Sequence, residues 1–135
     1  MAEDKKLKVL SALSLTEAQA EKIKAVDPRI ELHWYGRKDV SRIPAEMWRE
    51  AEVLFISLIS LPPADQTPAL KWVQAYSAGV DKSFQQDVFQ RGGVRLTSAS
   101  GTMVSQMGEY VIMTLLMLGH KAPEMFRFQQ QKVWP

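Results

Sequence analysis

Three short stretches rich in small residues are the parts of this sequence best suited to binding a ligand. They are SLIS (57–60), SAGVD (77–81) and SASGT (98–102), and each follows an apolar run. Gly79 and Gly101 can adopt positive φ, which lets successive backbone N–H groups point at one spot. Such a concavity suits an anion, above all a carboxylate. Tight turns between strand and helix also explain the same residues without any ligand.

Other side chains offer weaker chemistry. His33 lies in an edge-strand pattern and His120 at a predicted helix end, and neither has a second ligand at metal spacing. There is no Ser–His–acid set above chance, no G-x-G-x-x-G after a strand and no P-loop. Glu109 could be catalytic, but a buried glutamate paired with a neighbouring strand or loop is the simpler interpretation. The methionines of the same helix are expected to fill core space, namely Met103, Met107, Met113 and Met117.

Strand and helix patterns alternate along the chain. Strands are predicted at 7–10, 29–35, 52–60, 70–76 and 94–98, and the run EVLFISLIS is typical of a central parallel strand covered on both faces. Helices are predicted at 14–26, 44–51, 84–93 and 104–119. This alternation predicts an α/β fold, an open parallel sheet with helices on both faces. Ligands of such sheets bind beyond the carboxyl ends of the strands, where the three stretches lie.

Two helices carry more detailed signals. Ser14 and Glu17 have capping-box spacing, and an apolar face that ends at Val26 follows them. In the helix predicted at 84–93, Phe84 and Val88 are expected to point inward together with Phe89.

Composition sets limits on the class of protein. The chain has 135 residues, of which 46% are hydrophobic and 24% charged, values typical of globular proteins. A net charge of +2, with one basic cluster at Lys5, Lys6 and Lys8, indicates a solvated strand entrance and no nucleic-acid partner. Cysteine is absent, so no disulfide framework is possible. The start lacks a signal-peptide core and the apolar runs fall short of the ~20 residues that span a bilayer. We therefore expect a cytoplasmic protein without a membrane partner.

Two linked motifs resemble the D-isomer-specific 2-hydroxyacid dehydrogenases, a family that includes phosphoglycerate dehydrogenases, glyoxylate and hydroxypyruvate reductases, D-lactate dehydrogenases and formate dehydrogenases. The order and spacing match over roughly residues 50–120, and the first fifty residues fit the family's opening βαβ pattern more loosely. The matching elements are LKWVQ (70–74), SAGVD (77–81), RGGV (91–94), TS (97–98), Gly101 and MGE (107–109).

The resemblance implies a fold, a domain division and a site. Residues 1–101 would form the family's flavodoxin-like substrate domain, and 102–135 the helix and connector that lead to a missing Rossmann domain. The backbone amides of Ala78, Gly79 and Val80 would hold the carboxylate of a small 2-oxo or 2-hydroxy acid. The remaining candidates are Ser57, Leu58 and Ser77 for the substrate and, as a weak candidate, Met103 for the cofactor.

Departures from the family pattern affect the far end of the substrate. Ser98 replaces the usual Asn, Ser100 a frequent Pro, and Ser57 stands where many members carry Arg. The carboxylate site is intact, but the identity of the acid and the choice between NAD and NADP stay open.

The resemblance also implies what these residues lack. In the family, the glycine fingerprint, the catalytic His with its acidic partner and the carbonyl-polarising Arg come later in the chain. We therefore expect an NAD(P)-dependent parent enzyme and a truncated piece that is inactive alone and binds no cofactor. The helix near Glu109 crosses to the nucleotide domain in the family, so its exposed apolar surface predicts a homodimer, formed by exposure or swapping of helix 104–120.

Three alternative interpretations assign the chain to other classes of protein. A receiver domain needs an acidic cluster at its strand ends, which the sequence lacks. A non-catalytic, dinucleotide-sensing corepressor of the C-terminal-binding-protein type and a stand-alone organic-acid-binding module stay open. Asp81 is expected to cap a helix or brace its loop and not to act as a catalytic acid.

Overall fold

The structure is a computed structural model that describes residues 5–58 and 61–134. Short 3₁₀ turns occupy Arg37–Arg42, Ala64–Gln66 and Ser83–Gln85. The strands and α-helices follow in chain order: β1 Leu7–Ser11, α1 Glu17–Lys24, β2 Ile30–Trp34, α2 Ala45–Glu50, β3 Val53–Ile56, β4 Trp72–Ala75, α3 Asp87–Gln90, β5 Arg95–Thr97, α4 Val104–Gly119 and α5 Ala122–Gln131.

The five strands form one parallel sheet in the order β2-β1-β3-β4-β5. This is the strand order of flavodoxin-like folds, and it confirms the predicted open parallel sheet. Leu54 and Ile56 of β3 and Val73 and Ala75 of β4 are fully buried. The continuous apolar runs are therefore central strands, as their composition predicts.

The hydrophobic core joins these strands to α2 and α3. Trp48 of α2 and Val88 of α3 are buried in the same cluster as Leu10, Leu54 and Val73. Burying a valine side chain completely stabilises a fold by about 1.5–3 kcal/mol, so even the four-residue α3 contributes to the core.

The first helix begins later than its sequence pattern predicts. Its N-cap is Thr16 and not Ser14: Thr16 Oγ1 accepts from Gln19 N at 3.3 Å, and Gln19 Oε1 accepts from Thr16 N at 2.9 Å. The capping-box rule holds with a Thr-x-x-Gln pair in place of the predicted Ser–Glu pair. Ala20 is fully buried, whereas Val26 is 78% exposed because the helix ends before it.

Arg91 fastens the Pro-rich loop that precedes β4. Its guanidinium donates to the carbonyls of Ala64 and Thr67, both at 2.7 Å, and of Leu70 at 3.3 Å. Asp87 completes the contact from α3, because its Oδ2 accepts from the backbone N–H of Ala64 at 3.0 Å. The planar fork of arginine suits this arrangement of several acceptors. The loop before β4 is thus held to the end of α3.

A chain of side-chain hydrogen bonds reinforces the pairing of β4 with β5. The indole Nε1 of Trp72 donates to Thr97 Oγ1 at 2.8 Å, and that hydroxyl donates to Gln74 Oε1 at 2.6 Å. The three residues are adjacent in register, since Trp72 pairs with Arg95 and Gln74 with Thr97. These bonds support the edge strand β5, which has only three residues.

At the edge of the sheet where the strands begin, the carboxylate of Glu52 is the centre of a group of charges. This buried residue forms an ion pair with Lys71 and lies 3.9 Å from the ammonium of Lys5. Its carbonyl accepts from the backbone N–H groups of Lys71 and Trp72 at 2.9 and 3.1 Å. The hydrogen bond from Lys71 holds the pKa of Glu52 below its ordinary value of 4.5, against the opposing effect of burial.

The remaining lysines of the predicted basic cluster are also engaged at this edge. Lys8 forms an ion pair with Glu50, and Lys6 donates to the carbonyl of Pro28 at 3.2 Å. These local partners agree with the predicted strand entrance, since β1 begins at Leu7.

The chain divides into two compact units, one ending at Ser100 and the other beginning at Gly101. The second unit contains α4 and α5. Helix α4 has the bounds that the sequence predicts, Val104–Gly119. The segment expected to be a connector contains α5, with Pro123 in its first turn, where proline is favoured.

The side chains of the second unit are exposed where the sequence analysis expected burial. Glu109 is exposed and has no ion pair or hydrogen-bonded side-chain partner among the described residues. The expectation that methionines fill a core here is wrong as well, because four of them are exposed: Met103, Met107, Met113 and Met117. An apolar sequence predicts that a surface needs covering, but it does not say by what.

Replacing Arg91 with alanine should lower the free energy of unfolding by about 1–3 kcal/mol, since hydrogen bonds to charged groups contribute about 1.5–3 kcal/mol and this side chain is partly solvated. Urea unfolding followed by circular dichroism measures the change. Arg91→Lys should restore only part of the loss, because an ammonium cannot reproduce the planar fork. Arg37→Ala removes an exposed arginine without a hydrogen-bonded side chain in the described chain and is the matched control. Equal losses in Arg91→Ala and Arg37→Ala would contradict the assigned contact.

The Glu52–Lys71 pair predicts an acid-sensitive stability. The pKa of Glu52 is lower in the folded chain than in the unfolded one. The pair therefore stabilises the fold above the unfolded value of about 4.5 and loses this effect as pH falls through the folded value. Glu52→Gln should be less stable than the parent at neutral pH, and the difference should shrink on acidification.

Urea midpoints measured from pH 7 to pH 3 test this behaviour, with Glu50→Gln as the control for an exposed pair. Hydrogen bonds from Arg29 lower the pKa of Asp27 to about 2. This residue is present in the parent and in both variants, so it does not contribute to the difference between them. A constant difference between Glu52→Gln and the parent across this range would exclude the proposed linkage.

Candidate functional site

The carboxyl ends of β3, β4 and β5 meet at one edge of the sheet. The register pairs Ile56 with Ala75 and Gln74 with Thr97, so the three strands end side by side. The stretches singled out in the sequence begin directly after these ends. Ligands of open parallel sheets bind at this edge, so the topology brings together the turns that the sequence only suggests.

The turn after β4, residues 77–81, leaves consecutive backbone donors available. Among the described residues, the N–H groups of Ala78, Gly79 and Val80 have no hydrogen-bond acceptor. Ala78 and Gly79 are exposed, and Val80 is half-buried against the core. The hydroxyl of Ser77 donates to the carbonyl of Gly79 at 3.3 Å. We call residues 77–81 the amide turn.

Hydrogen bonds also hold the turns that follow β5 and β3. After β5, the backbone N–H of Ala99 donates to the carbonyl of Ser77 at 3.1 Å. After β3, Ser57 is half-buried and Leu58 is buried, and the Leu58 carbonyl accepts from Gln86 Nε2 at 3.1 Å. The remaining members of that predicted stretch, residues 59–60, lie outside the described residues.

The expectation of positive φ is wrong for Gly79 and correct for Gly101. Gly101 has φ of 90°, whereas Gly79 does not adopt the left-handed region. A Cβ added to Gly79 would meet nothing within 4 Å. The chain itself therefore does not require glycine at position 79, and its missing side chain simply leaves the neighbouring amides open to approach from solvent.

Asp81 does not have the capping role expected from the sequence. Its side chain is exposed and forms no hydrogen bond or ion pair among the described residues, and the turn that begins at Ser83 has no side-chain cap. The acid that braces this region is Asp87, through the Ala64 amide described above and through Val88 N at 2.8 Å. Asp81 is thus an unpaired carboxylate beside the amide turn.

The second unit holds the other predicted site residues. Met103 is the N-cap of α4 and is exposed, and His120 is its C-cap, as expected from its place at the helix end. In the first unit, His33 lies on the edge strand β2, with Nε2 3.0 Å from Glu31 Oε1. Within residues 5–58 and 61–134, no group of three potential ligand side chains could hold a metal ion.

The turn after β1 belongs to the same edge, and the sequence analysis missed it. In the observed strand order the direction of winding reverses between β1 and β3, which is the switch point where ligands of such folds collect. Ser11 is fully buried there, and its Oγ lies 3.3 Å from Leu13 N, which donates to it. Only the strand order reveals this position, because the residues after β1 contain no glycine or charge that would mark them.

The strand order and the carboxyl edge of the sheet together define a class of fold. A parallel sheet of order β2-β1-β3-β4-β5 is a flavodoxin-like α/β domain. At its carboxyl edge, three consecutive backbone amides have no acceptor among the described residues. No described helix combines the length and apolar character needed to cross a bilayer.

Known structures place this architecture among dehydrogenases. A D-isomer-specific 2-hydroxyacid dehydrogenase family protein from Aeromonas salmonicida subsp. salmonicida A449 is similar over 98% of this chain and 41% of its own, with 26% identity and a TM-score of 0.69. A weaker similarity, 23% identity and a TM-score of 0.48, covers 94% of this chain and 40% of phosphoglycerate dehydrogenase from Lactobacillus plantarum. The similarity to the Aeromonas salmonicida protein confirms the sequence resemblance to the D-isomer-specific 2-hydroxyacid dehydrogenases.

The extent of these similarities differs between comparisons. This chain spans about two fifths of the length of the two solved structures. No protein-family model matches it, and no curated protein matches it. The similarity therefore rests on the three-dimensional structure together with the two sequence motifs.

Proposed function

We propose that this chain is the substrate-binding part of an NAD(P)-dependent oxidoreductase that interconverts a D-2-hydroxy acid and a 2-oxo acid. The observation that carries the proposal is the set of three consecutive amides, Ala78 to Val80, that are free of protein acceptors in the described chain. Their position at the carboxyl edge, in a fold similar to a D-isomer-specific 2-hydroxyacid dehydrogenase family protein, supports it.

The role of the amide turn is to bind and orient the acid. A carboxylate accepts hydrogen bonds from N–H donors that are already fixed by the sheet, and each charge-assisted bond contributes about 1.5–3 kcal/mol. Ala75 and Val73 beneath the turn are fully buried, so the donors stand on a rigid strand. Ser57, Leu58 and Ser77 complete the proposed wall around the bound acid.

The turn after the first strand lacks the glycines of a dinucleotide site. A dinucleotide-binding sheet carries its glycines in the turn after its first strand, whereas this turn reads ALSLT (12–16), with Ala12 and Leu13 buried. Met103 is exposed and stands alone as a cofactor candidate. We therefore propose that NAD or NADP is held by another part of a longer protein. The three turns contain no histidine, so this chain alone should bind the acid without converting it.

Titration calorimetry of this chain with glyoxylate, pyruvate and hydroxypyruvate tests the proposal. Gly79→Val should weaken binding about 10- to 100-fold, because the branched side chain would block one or more of the amide donors. Each lost hydrogen bond to the carboxylate costs about 1.5–3 kcal/mol, and about 1.4 kcal/mol corresponds to a factor of ten in affinity. The variant should fold normally, since the added Cβ meets open space and φ is not positive.

Gly119→Val is the matched control, because its Cβ also meets open space and it lies outside the amide turn. It should bind the acids like the parent chain. The proposal fails if none of the three acids binds, or if Gly79→Val binds them unchanged.

We also propose that a second copy of this chain covers α4. Exposed apolar side chains lie on almost every side of this helix, and an apolar surface of this kind is unfavourable in a monomer. Those at spacings close to a coiled coil, which we call the stripe, are Val104, Met107, Val111, Leu115 and Leu118.

Light scattering over a range of concentrations should show twice the chain mass of 15.3 kDa. The double variant Val111→Glu with Leu115→Glu should shift the protein to the monomer by placing charges in the stripe. Val26→Glu, at an exposed apolar position outside α4, should leave the mass unchanged. A parent chain that stays monomeric at every concentration would exclude the dimer.

A further inference from the structure

Two exposed aromatic side chains bracket the amide turn. Among the described residues up to Ser100, the exposed large hydrophobic side chains are Val26, Trp72, Tyr76 and Phe84. Tyr76 directly precedes the turn and is 64% exposed, and Phe84 follows it and is 54% exposed. The sequence pattern predicted that Phe84 points inward, and the structure shows that this prediction is wrong. Half of the exposed large apolar side chains of this unit therefore lie beside the proposed carboxylate donors.

Both aromatic residues are close to the amide turn along the backbone. Tyr76 stands two residues before Ala78, which limits the separation of their Cα atoms to about 7 Å. On the other side, the N–H of Ser83 donates to the carbonyl of Val80 at 2.9 Å and closes a turn directly before Phe84.

The ring of Phe84 is also supported from below. It contacts Phe89 with a centroid separation of 6.2 Å and an interplanar angle of 56°, a tilted arrangement that aromatic pairs favour. Phe89 in turn packs against the hydrophobic core. Phe84 thus presents an exposed apolar surface while contacting a ring that packs against the core.

The charges around the turn do not favour a second anionic group on the ligand. From residue 72 to residue 90 the only basic side chain is Lys82, beside Asp81 and with Asp87 further on. The carboxylate of Asp81 has no partner among the described residues and would repel a second negative charge. The stretches at 57–58 and 98–100 contain no charged residue at all.

We propose that Tyr76 and Phe84 contact the substituent of the bound acid and select 2-oxo and 2-hydroxy acids whose substituent is aryl or branched aliphatic. The inference rests on the proposed function, since it assumes that the amide turn holds the carboxylate. Burial of the substituent between the two rings supplies the affinity, and the scarcity of cations disfavours dicarboxylates and phosphorylated acids.

Titration calorimetry of the 135-residue chain with four 2-oxo acids tests the selection. The acids are glyoxylate, 4-methyl-2-oxopentanoate, phenylpyruvate and oxaloacetate. Phenylpyruvate and 4-methyl-2-oxopentanoate should bind about 10-fold or more tightly than glyoxylate, because even one methylene group in an apolar site is worth about 10-fold or more. Oxaloacetate should bind no more tightly than glyoxylate.

Variants assign this selectivity to the two rings. Tyr76→Ala and Phe84→Ala should each lower the affinity for phenylpyruvate about 3- to 10-fold and leave the affinity for glyoxylate unchanged. Val26→Ala removes an exposed apolar side chain outside the turn and should change neither affinity.

The outcomes separate this inference from the function on which it rests. If glyoxylate binds and Gly79→Val weakens its binding as predicted, but phenylpyruvate binds no more tightly than glyoxylate, the role of the rings is wrong and the proposed function stands. A preference for oxaloacetate would also overturn the inference. If none of the four acids binds, the proposed function fails and the selection by the rings fails with it.

Discussion

Parallel pairing of β3, β4 and β5 is the constraint on which the rest of this structure depends. Parallel strands in register must all end at the same edge, so turns that lie about twenty residues apart in the sequence become neighbours. Side chains maintain that register from both ends: Arg91 holds the loop before β4, and the bonds from Trp72 through Thr97 to Gln74 hold β4 to β5. The candidate site is therefore a consequence of the sheet and not of any single motif.

The proposed site consists of backbone groups, and this explains its plain composition. Amide donors need no particular side chain, only a turn that leaves them unpaired and a rigid strand beneath it. Gly79 illustrates the point, because its φ is ordinary and a Cβ there would meet empty space. Folding alone therefore does not explain a glycine at this position, whereas the proposed function does, because a small residue leaves the neighbouring amides open to a ligand.

Charges are divided between the two edges of the sheet in a way that fits this assignment. At the amino-terminal edge, Glu52 and Glu50 pair with lysines, so the carboxylates there are committed to structure. At the carboxyl edge, Asp81 is unpaired among the described residues and aromatic side chains are exposed instead. Unpaired groups and exposed apolar rings contribute little to stability, and they are the features from which binding and selectivity are inferred.

Much of the local structure could be predicted from sequence, because period and capping are local properties. Helix α4 has the predicted bounds, and the runs around Leu54 and Val73 are central strands as their composition indicates. Burial was less predictable: Phe84, Val26 and Met107 are exposed although they are apolar, because exposure depends on which elements pack against a residue. The sequence by itself determined the order of strands and helices and the small-residue turns. Only the tertiary structure decided which turns meet and that the amides stay unpaired, since both depend on strand order and on hydrogen-bond partners distant in the chain.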